Sequence, residues 1–308
     1  MPCFKPNKVW KTSNGIQWYN PYSDVDHGFQ ISCKQCRGCR KEYARQWAMR
    51  ILHEQSLWLN NIFITLTYDD KHLPENKTLV KKDFQDFTKR LRKHKKANTQ
   101  NPIRFYHCGE YGDKYARPHY HAILFNCNFR DREKLNGHRG LTTSQTLNKL
   151  WGKGHSSIGE VTFNSASYVA GYVQKKINGS MKNHIDPQTN LRHYERLTPD
   201  GEIITLQQEY STMSRRPGIA GLWFAKHKND CYPSDNIHID GREMRPPKYY
   251  DRLFIESSPE NKKTFEDLIL PKRLDGMKHT AHLRTPEALA QAELNSIARD
   301  RIYKRGKL

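Results

Sequence analysis

The run Arg117-Pro118-His119-Tyr120-His121-Ala122-Ile123-Leu124-Phe125 turns from polar to apolar halfway, and it reads as a β-strand over 119–125. On a strand, residues two apart share a face. His119 and His121 therefore point the same way, with Tyr120 on the other side. Two imidazoles on one face can grip a divalent cation, but two ligands are too few for a stable site. A neighbouring strand must bring an oxygen donor. Glu110, in Cys108-Gly109-Glu110, is best placed, with Asp113 in reserve. A two-histidine, one-carboxylate set leaves positions open for substrate and suits Mg2+ or Mn2+ better than a closed structural zinc. Taken alone, His-x-His is also a common pattern on a half-exposed strand.

Downstream comes Tyr168-Val169-Ala170-Gly171-Tyr172-Val173-Gln174-Lys175-Lys176. At helical spacing, Tyr168 and Tyr172 put both hydroxyls on one face, and Lys175 and Lys176 follow within a turn. A phenol with a pKa of about 10 is a poor nucleophile when neutral. A nearby ammonium lowers that pKa and steadies phosphate charge. Two tyrosines four apart on a helix are more often packing residues, so the weight lies in the combination with the histidine strand.

Working outward, residues 40–59 have a helical recurrence of Tyr43, Trp47, Ile51 and Trp58. Residues 62–68 are β-branched and aromatic and form a strand. Residues 81–96 make a helix with Phe84, Phe87 and Leu91 on one face. Its other face is basic, with eight Lys/Arg against two Asp over the segment. Strands follow at 103–108 and 119–125, then a helix at 143–151 capped near Ser144, a strand at 156–163 and a helix at 167–177. The order β-α-β-β-α-β-α predicts an α+β fold, a central antiparallel sheet of the split βαβ type with helices on one or both faces. Beyond 178 the pattern weakens. A hairpin around Asp200-Gly201, a short helix over 221–228, an extended Pro246-Pro247 segment and a terminal helix over 286–303 are expected. The predicted division is 1–60, a cysteine-bearing segment and helix; 61–180, the core; and 181–308, an irregular C-terminal extension.

The 308 residues carry 52 Lys+Arg against 32 Asp+Glu, a formal net charge of +20. Such an excess attracts polyanions and points to nucleic acid. Lys89, Arg90, Arg92 and Lys93 on the basic helix, and Arg215 and Arg216 in a turn, are the candidate DNA contacts, although a solvated helix face would look the same. No apolar run of about 18 residues exists, so no membrane span is expected. No phosphate-loop motif is present. The seven cysteines are an odd number in a chain with no apolar leader, which favours thiols or metal over disulfides and a reducing cytoplasm. Cys33, Cys36 and Cys39 form Cys-x-x-Cys-x-x-Cys. With Cys3 or a histidine as a fourth ligand they would complete a tetrahedral Zn2+ site. Free thiols and an iron–sulfur centre are the alternatives.

The ordered set of a Thr-Leu-Thr strand, a His-x-His strand and a Tyr-x-x-x-Tyr-x-x-Lys helix on a basic domain resembles the HUH endonucleases that start rolling-circle replication. The paired tyrosines resemble those of the initiators of small single-stranded DNA phages. The cysteine triplet, Gly109-Glu110-Tyr111-Gly112 and Pro246-Pro247-Lys248-Tyr249-Tyr250 are similar to the short microvirus initiators of the gokushovirus type. The likeness covers about 1–255 and is densest over 61–178. It departs at Tyr120, where the family carries an aliphatic residue. This resemblance implies metal-dependent nicking and rejoining of DNA through a 5′-phosphotyrosine intermediate. Tyr172 is favoured for the first cut because of its Tyr-x-x-Lys spacing, and Tyr168 for the second. It also implies single-stranded origin DNA and viral replicative-form DNA as substrates. A host helicase, DNA polymerase and single-strand-binding protein would be partners in the host bacterial cytoplasm. A non-catalytic basic nucleic-acid-binding protein, and a transposase or relaxase of the same chemistry, are the other readings.

Overall fold

Along Asn61–Tyr68 every second side chain is enclosed. Ile62, Ile64, Leu66 and Tyr68 are each no more than 1% exposed, and the residues between them are half-buried. A strand with a packed core on one face requires that alternation. The computed structural model describes residues 3–21, 28–112, 115–137, 140–172 and 183–305, with the side chains of 172 and 303–305 excepted. The chain falls into two compact units, Trp47–Lys228 and Met1–Gln46 with Asn229–Leu308.

In chain order, β1 (Asn7–Thr12), β2 (Gly15–Gln17) and β3 (Phe29–Ile31) form an antiparallel sheet ordered β2-β1-β3. Strands this short hold too few residues for a period to show, which is why residues 1–32 look patternless. Helix α1 (Arg37–Gln55) has its first half in one unit and its second half in the other. Next come β4 (Asn61–Tyr68), α2 (Lys81–His94), β5 (Arg104–Tyr111), β6 (Pro118–Phe125), β7 (Arg132–Lys134) and β8 (Thr142–Ser144). They are followed by α3 (Gln145–Trp151), β9 (Gly154–Gly159), α4 (Phe163–Tyr172), β10 (Glu195–Leu197), β11 (Ile203–Thr205) and β12 (Tyr210–Met213). Then α5 (Gly221–Cys231), β13 (Ile237–Ile239), β14 (Arg242–Met244), α6 (Lys248–Ser257), α7 (Pro259–Thr264), α8 (Leu270–His279) and α9 (Pro286–Arg305) complete the chain.

The protein is α+β. Its main sheet has seven strands in the order β12-β5-β6-β4-β9-β8-β7, each antiparallel to its neighbours. Strand β4 pairs with β6 from Asn61↔Phe125 to Thr67↔His119, and with β9 from Phe63↔Gly159 to Tyr68↔Gly154. On one face Ile62, Ile64, Leu66, Tyr120, Ala122 and Leu124 pack with Phe84, Phe87 and Leu91 of α2 and with Leu147 and Trp151 of α3. Each such side chain contributes about 1.5–3 kcal/mol by burial. Ser144 caps α3, its hydroxyl accepting from Leu147 N–H, as the sequence led us to expect. On the opposite face the fully enclosed Glu54 accepts from Arg104 Nε at 2.6 Å, Trp58 Nε1 at 3.1 Å and Ala220 N at 2.6 Å. These bonds tie the end of α1 to β5 and to the turn before α5.

Some boundaries differ from the sequence expectation. The strand expected over 156–163 ends at Gly159, and α4 starts at Phe163. Thr162 is the reason: its hydroxyl accepts from Ser165 N–H at 3.1 Å, so the residues just past the strand are a helix cap and first turn. Residues 248–251, expected to be extended after two prolines, begin α6, with Pro247 as its N-cap. Proline at the entry of a helix donates nothing that the helix needs there. The second half of the tyrosine helix, 173–177, lies outside the described residues.

In the unit of Met1–Gln46 and Asn229–Leu308, Arg273 of α8 donates to Asp235 at 2.6 and 2.8 Å and to Asp251 at 2.7 and 2.8 Å. Lys41 Nζ of α1 donates to Asp300 of α9 at 2.7 Å. Such pairs, bound at several points, hold helices that bury few apolar side chains.

Tyr120 shows how an aromatic with a polar end fits the packed face of β6. Its hydroxyl donates to Val80 O and accepts from Val80 N–H, both at 2.9 Å, and lies 2.9 Å from Tyr68 OH. Burial pushes the Tyr120 phenol up to about 12, so it stays a neutral donor. Tyr120→Phe keeps the ring but strips both partners from Val80. We expect a loss of about 1–3 kcal/mol in equilibrium urea unfolding, with the histidines on the other face undisturbed.

Candidate functional site

The register of the three central strands assembles the site. Thr65 of β4 faces His121 of β6, which faces Cys108 of β5; Thr67 faces His119, which faces Glu110. All six lie on the sheet face away from α2 and α3. Thr65 Oγ1 is 3.0 Å from His121 Nδ1, and Thr67 Oγ1 is 3.1 Å from His119 Nδ1. In the tautomer that donates Nδ1–H to each threonine, Nε2 keeps its lone pair for a cation. His121 Nε2 lies 2.9 Å from Glu110 Oε1. Both residues are buried, at 6% and 4% exposure, whereas His119 is half-buried.

This donor set fits a hard divalent cation in kind. It also fits in spacing for one pair: two donors about 2.1 Å from an octahedral ion, at right angles, stand about 3 Å apart. His119 points elsewhere. Its Nε2 lies 2.9 Å from where a Cβ on Gly112 would be. Its donor does not join those of His121 and Glu110 in a group within 4.8 Å; among the described residues only the four cysteines below form such a group.

Helix α4 brings a hydroxyl to this face. The Tyr168 ring meets the His121 ring edge-on with centroids 5.7 Å apart, and it meets Phe63 in the same way at 6.4 Å. Phe63 in turn stacks along His121 at 5.9 Å. Half of Tyr168 is exposed. Tyr172 ends α4 one turn further along. Its side chain, and all of Lys175, Lys176 and Asp113, lie outside the described residues.

Gly109-Glu110-Tyr111-Gly112 gains a physical meaning. A Cβ on Gly109 would sit 2.9 Å from the Tyr210 ring. Tyr111 OH donates to Gln207 O at 2.7 Å and accepts from Leu79 N–H at 3.1 Å, fixing the strand end that carries Glu110. Gly112 leaves room for the His119 imidazole. Behind the sheet, burial first and His121 second hold the His107 imidazole well below its usual range, so it stays neutral. It stacks on Phe84 at 3.4 Å, with Nδ1 2.8 Å from Thr212 Oγ1.

Sequence reasoning did not assign a role to Thr65 or Thr67, although it noted the Thr-Leu-Thr strand. His155 and Ser157 join them from outside the sequence expectation, standing opposite Thr67 and Thr65 on β9. Thr67, His155 and Ser157 line a hollow with Thr143, Asn148 and the apolar Leu135 and Leu141. The period-2 pattern of β4 was the available signal, but the partner strand and its register were not.

The basic residues are not gathered here. Lys89, Arg90, Arg92 and Lys93 lie on α2, across the sheet from the histidines. Arg90 donates to Leu150 O at 2.8 Å and Trp151 O at 3.0 Å, Arg92 to Ile103 O at 3.2 Å, and Lys89 pairs with Asp86 at 3.5 Å. Arg215 and Arg216 are exposed in the turn after β12. In the other unit Cys3, Cys33, Cys36 and Cys39 do meet, with all four sulfurs within 4.8 Å. Cys3, and no histidine, is the fourth member.

Residues 61–177, from β4 past the end of α4, match a family described as replication-associated protein ORF2/G2P. The chain is similar to replication-associated protein VP4 of Bdellovibrio phage phiMH2K, 31% identical over 272 residues covering 84% of this chain and 79% of that protein. It is similar to replication-associated protein ORF2 of Spiroplasma virus 4, 32% identical over 276 residues covering 82% and 80%. A third relative is replication-associated protein ORF4 of Chlamydia phage 1, 33% identical over 155 residues, 48% of this chain and 39% of that one. No solved structure matches the chain.

Gly112→Ala tests the geometry directly. A methyl 2.9 Å from His119 Nε2 meets the movable end of a side chain, not backbone. Stability should fall by less than about 1 kcal/mol. The His119 ring signals should shift in imidazole NMR while those of His121 hold.

Proposed function

The chain belongs to the family of phage replication-associated proteins, with microvirus-like rolling-circle initiators, and from that footing we propose that it opens replication by nicking origin DNA with a tyrosine. One observation carries the reading: Tyr168 meets His121 edge-on at 5.7 Å while that imidazole is held between Thr65 and Glu110. A hydroxyl-bearing helix thus lies against the histidine-bearing face.

In the reaction a tyrosine phenolate oxygen attacks the scissile phosphorus. The phosphorus–O3′ bond breaks, and the 3′ oxygen leaves and takes up a proton. The protein stays joined to the 5′ phosphate, and the free 3′ hydroxyl primes a host DNA polymerase. Mg2+ or Mn2+ would be held first by His121 and Glu110, with His119 joining them once its ring turns away from Gly112, and would draw charge from the non-bridging phosphate oxygens. Thr65 and Thr67 keep both imidazoles aimed by bonding Nδ1. Lys175 and Lys176 favour the phenolate and steady the phosphate. Tyr172 makes the first cut, and Tyr168 cuts the regenerated origin after one round, so that the displaced strand is closed into a circle. The hollow lined by Thr67, His155 and Ser157 supports a path for the strand beside the histidines.

The substrate is single-stranded origin DNA within the viral replicative form. A host helicase unwinds the duplex, and host single-strand-binding protein coats the displaced strand. The setting is the host bacterial cytoplasm. Among the described residues no helix is long and apolar enough to cross a membrane.

Incubation with single-stranded origin DNA and Mn2+ should yield a detergent-stable protein–DNA adduct that chelator abolishes. A basic protein without chemistry would shift the DNA in a gel and form no adduct, and that result would overturn the proposal. Tyr172→Phe should cut first-strand nicking by about a hundredfold or more, and the double tyrosine variant should form no adduct. Thr65→Val, isosteric but without the hydroxyl, should weaken Mn2+ binding by about 10- to 100-fold in a calorimetric titration.

A further inference from the structure

The four cysteines of the N-terminal segment lie apart from the chemistry proposed above and have a geometry of their own. The Cys3 and Cys33 sulfurs are 3.5 Å apart, those of Cys36 and Cys3 3.8 Å, and those of Cys33 and Cys39 4.0 Å. A disulfide needs about 2.05 Å, so these are not bonded pairs. Four thiolates at about 2.3 Å from one tetrahedral ion stand about 3.8 Å from each other, and the three distances bracket that value. A four-iron cluster takes each thiolate on a separate iron and spreads its sulfurs wider than this.

The backbone around the sulfurs is arranged for thiolates. Cys36 N–H donates to Cys33 Sγ at 3.2 Å, closing a turn over Lys34, whose φ is +60°. Phe4 N–H donates to Cys36 Sγ at 3.2 Å, and Cys33 N–H to Cys3 Sγ at 3.3 Å. Three of the four sulfurs thus accept a backbone donor, the arrangement that holds charge on a metal-bound sulfur. The segment also needs a fastening. Among described residues 3–35, only Phe4 and Val9 are buried apolar side chains. A sheet of strands this short has no core to hold it against α1, and small segments of this kind depend on a metal or a crosslink.

We propose that Cys3, Cys33, Cys36 and Cys39 bind one structural zinc ion, which fastens the β1–β3 segment to the first turn of α1. Binding releases the remaining thiol protons and forms four Zn–S bonds. No position stays open for substrate, so the site is structural. Cys108, Cys127 and Cys231 are buried and stand outside this group.

The test uses the full chain, purified without chelator. Elemental analysis should find about one zinc per chain. Exchange with Co2+ should give the intense sulfur-to-cobalt charge-transfer absorption and visible bands of a tetrahedral four-thiolate centre. Both signals should persist in the His119→Ala/His121→Ala double variant, which removes both imidazoles of the other candidate site. Cys36→Ser should lower zinc to under about a tenth per chain. Should that variant fail to fold, the cobalt spectrum of the unaltered chain still decides. Absence of zinc with no thiolate bands on cobalt loading would overturn the proposal. So would loss of zinc with the histidine pair, iron in its place, or a mass two daltons low from a disulfide. Failure of the nicking reaction would leave this result untouched, because none of these cysteines lies within Trp47–Lys228.

Discussion

The pairing of β4 with β6 is the constraint on which the rest depends. A strand has two faces, and a slip of one residue exchanges them. With Thr65 opposite His121 and Thr67 opposite His119, hydroxyls meet imidazoles on one side, and Ile64 and Leu66 meet Ala122 and Tyr120 on the other. In the slipped register, aliphatic side chains would press on the imidazoles and threonine hydroxyls would enter the packed core without partners. Both costs run to several kcal/mol. The core therefore fixes the register, and the register fixes which nitrogen of each imidazole is left for chemistry.

Burial then divides the labour among the polar groups. Glu54 is fully enclosed, yet Arg104, Trp58 and the Ala220 amide all donate to it, so its charge has partners on each side. A buried carboxylate with one weak partner would be a liability; with three donors it acts as a joint that locks β5. Glu110 sits on that same strand, and Tyr111 pins the strand's end. The site inherits its rigidity from these contacts, none of which touches a histidine. Tyr120 does the same service from behind, joining β6 to the start of α2 through both backbone groups of Val80.

Much of this was legible in the sequence. The alternating 62–68 strand, the His-x-His strand, Glu110 at the end of its neighbour and the Ser144 cap follow from periods and cap residues that operate within a few positions. What lay beyond reach was relational. The amphipathic pattern of residues 81–96 shows that one helix face is buried, but not against which side of the sheet, so the basic row could be assigned no position relative to His119 and His121. Thr65 and Thr67 looked like ordinary β-formers because their partners arrive from more than fifty positions away. At Thr162 a local signal was present and misread: strand propensity and a helix cap overlap in threonine, and the hydrogen bond to Ser165 decides between them.

The two ends of the site carry opposite demands, and the chain meets them with different materials. Ligands must be held to within about half an ångström to act together, and the proposed pair, His121 and Glu110, is shut into the sheet. A nucleophile that must engage one strand and then yield to its neighbour gains from being less confined. Tyr168 is half exposed on a ten-residue helix. Among the described residues nothing lies within 4 Å of where a Cβ on Gly171, next to Tyr172, would be. A glycine inside a helix costs about 0.5–1 kcal/mol relative to alanine. That cost, set between the two tyrosines, weakens the helix at the point where the proposed chemistry asks one hydroxyl to replace the other.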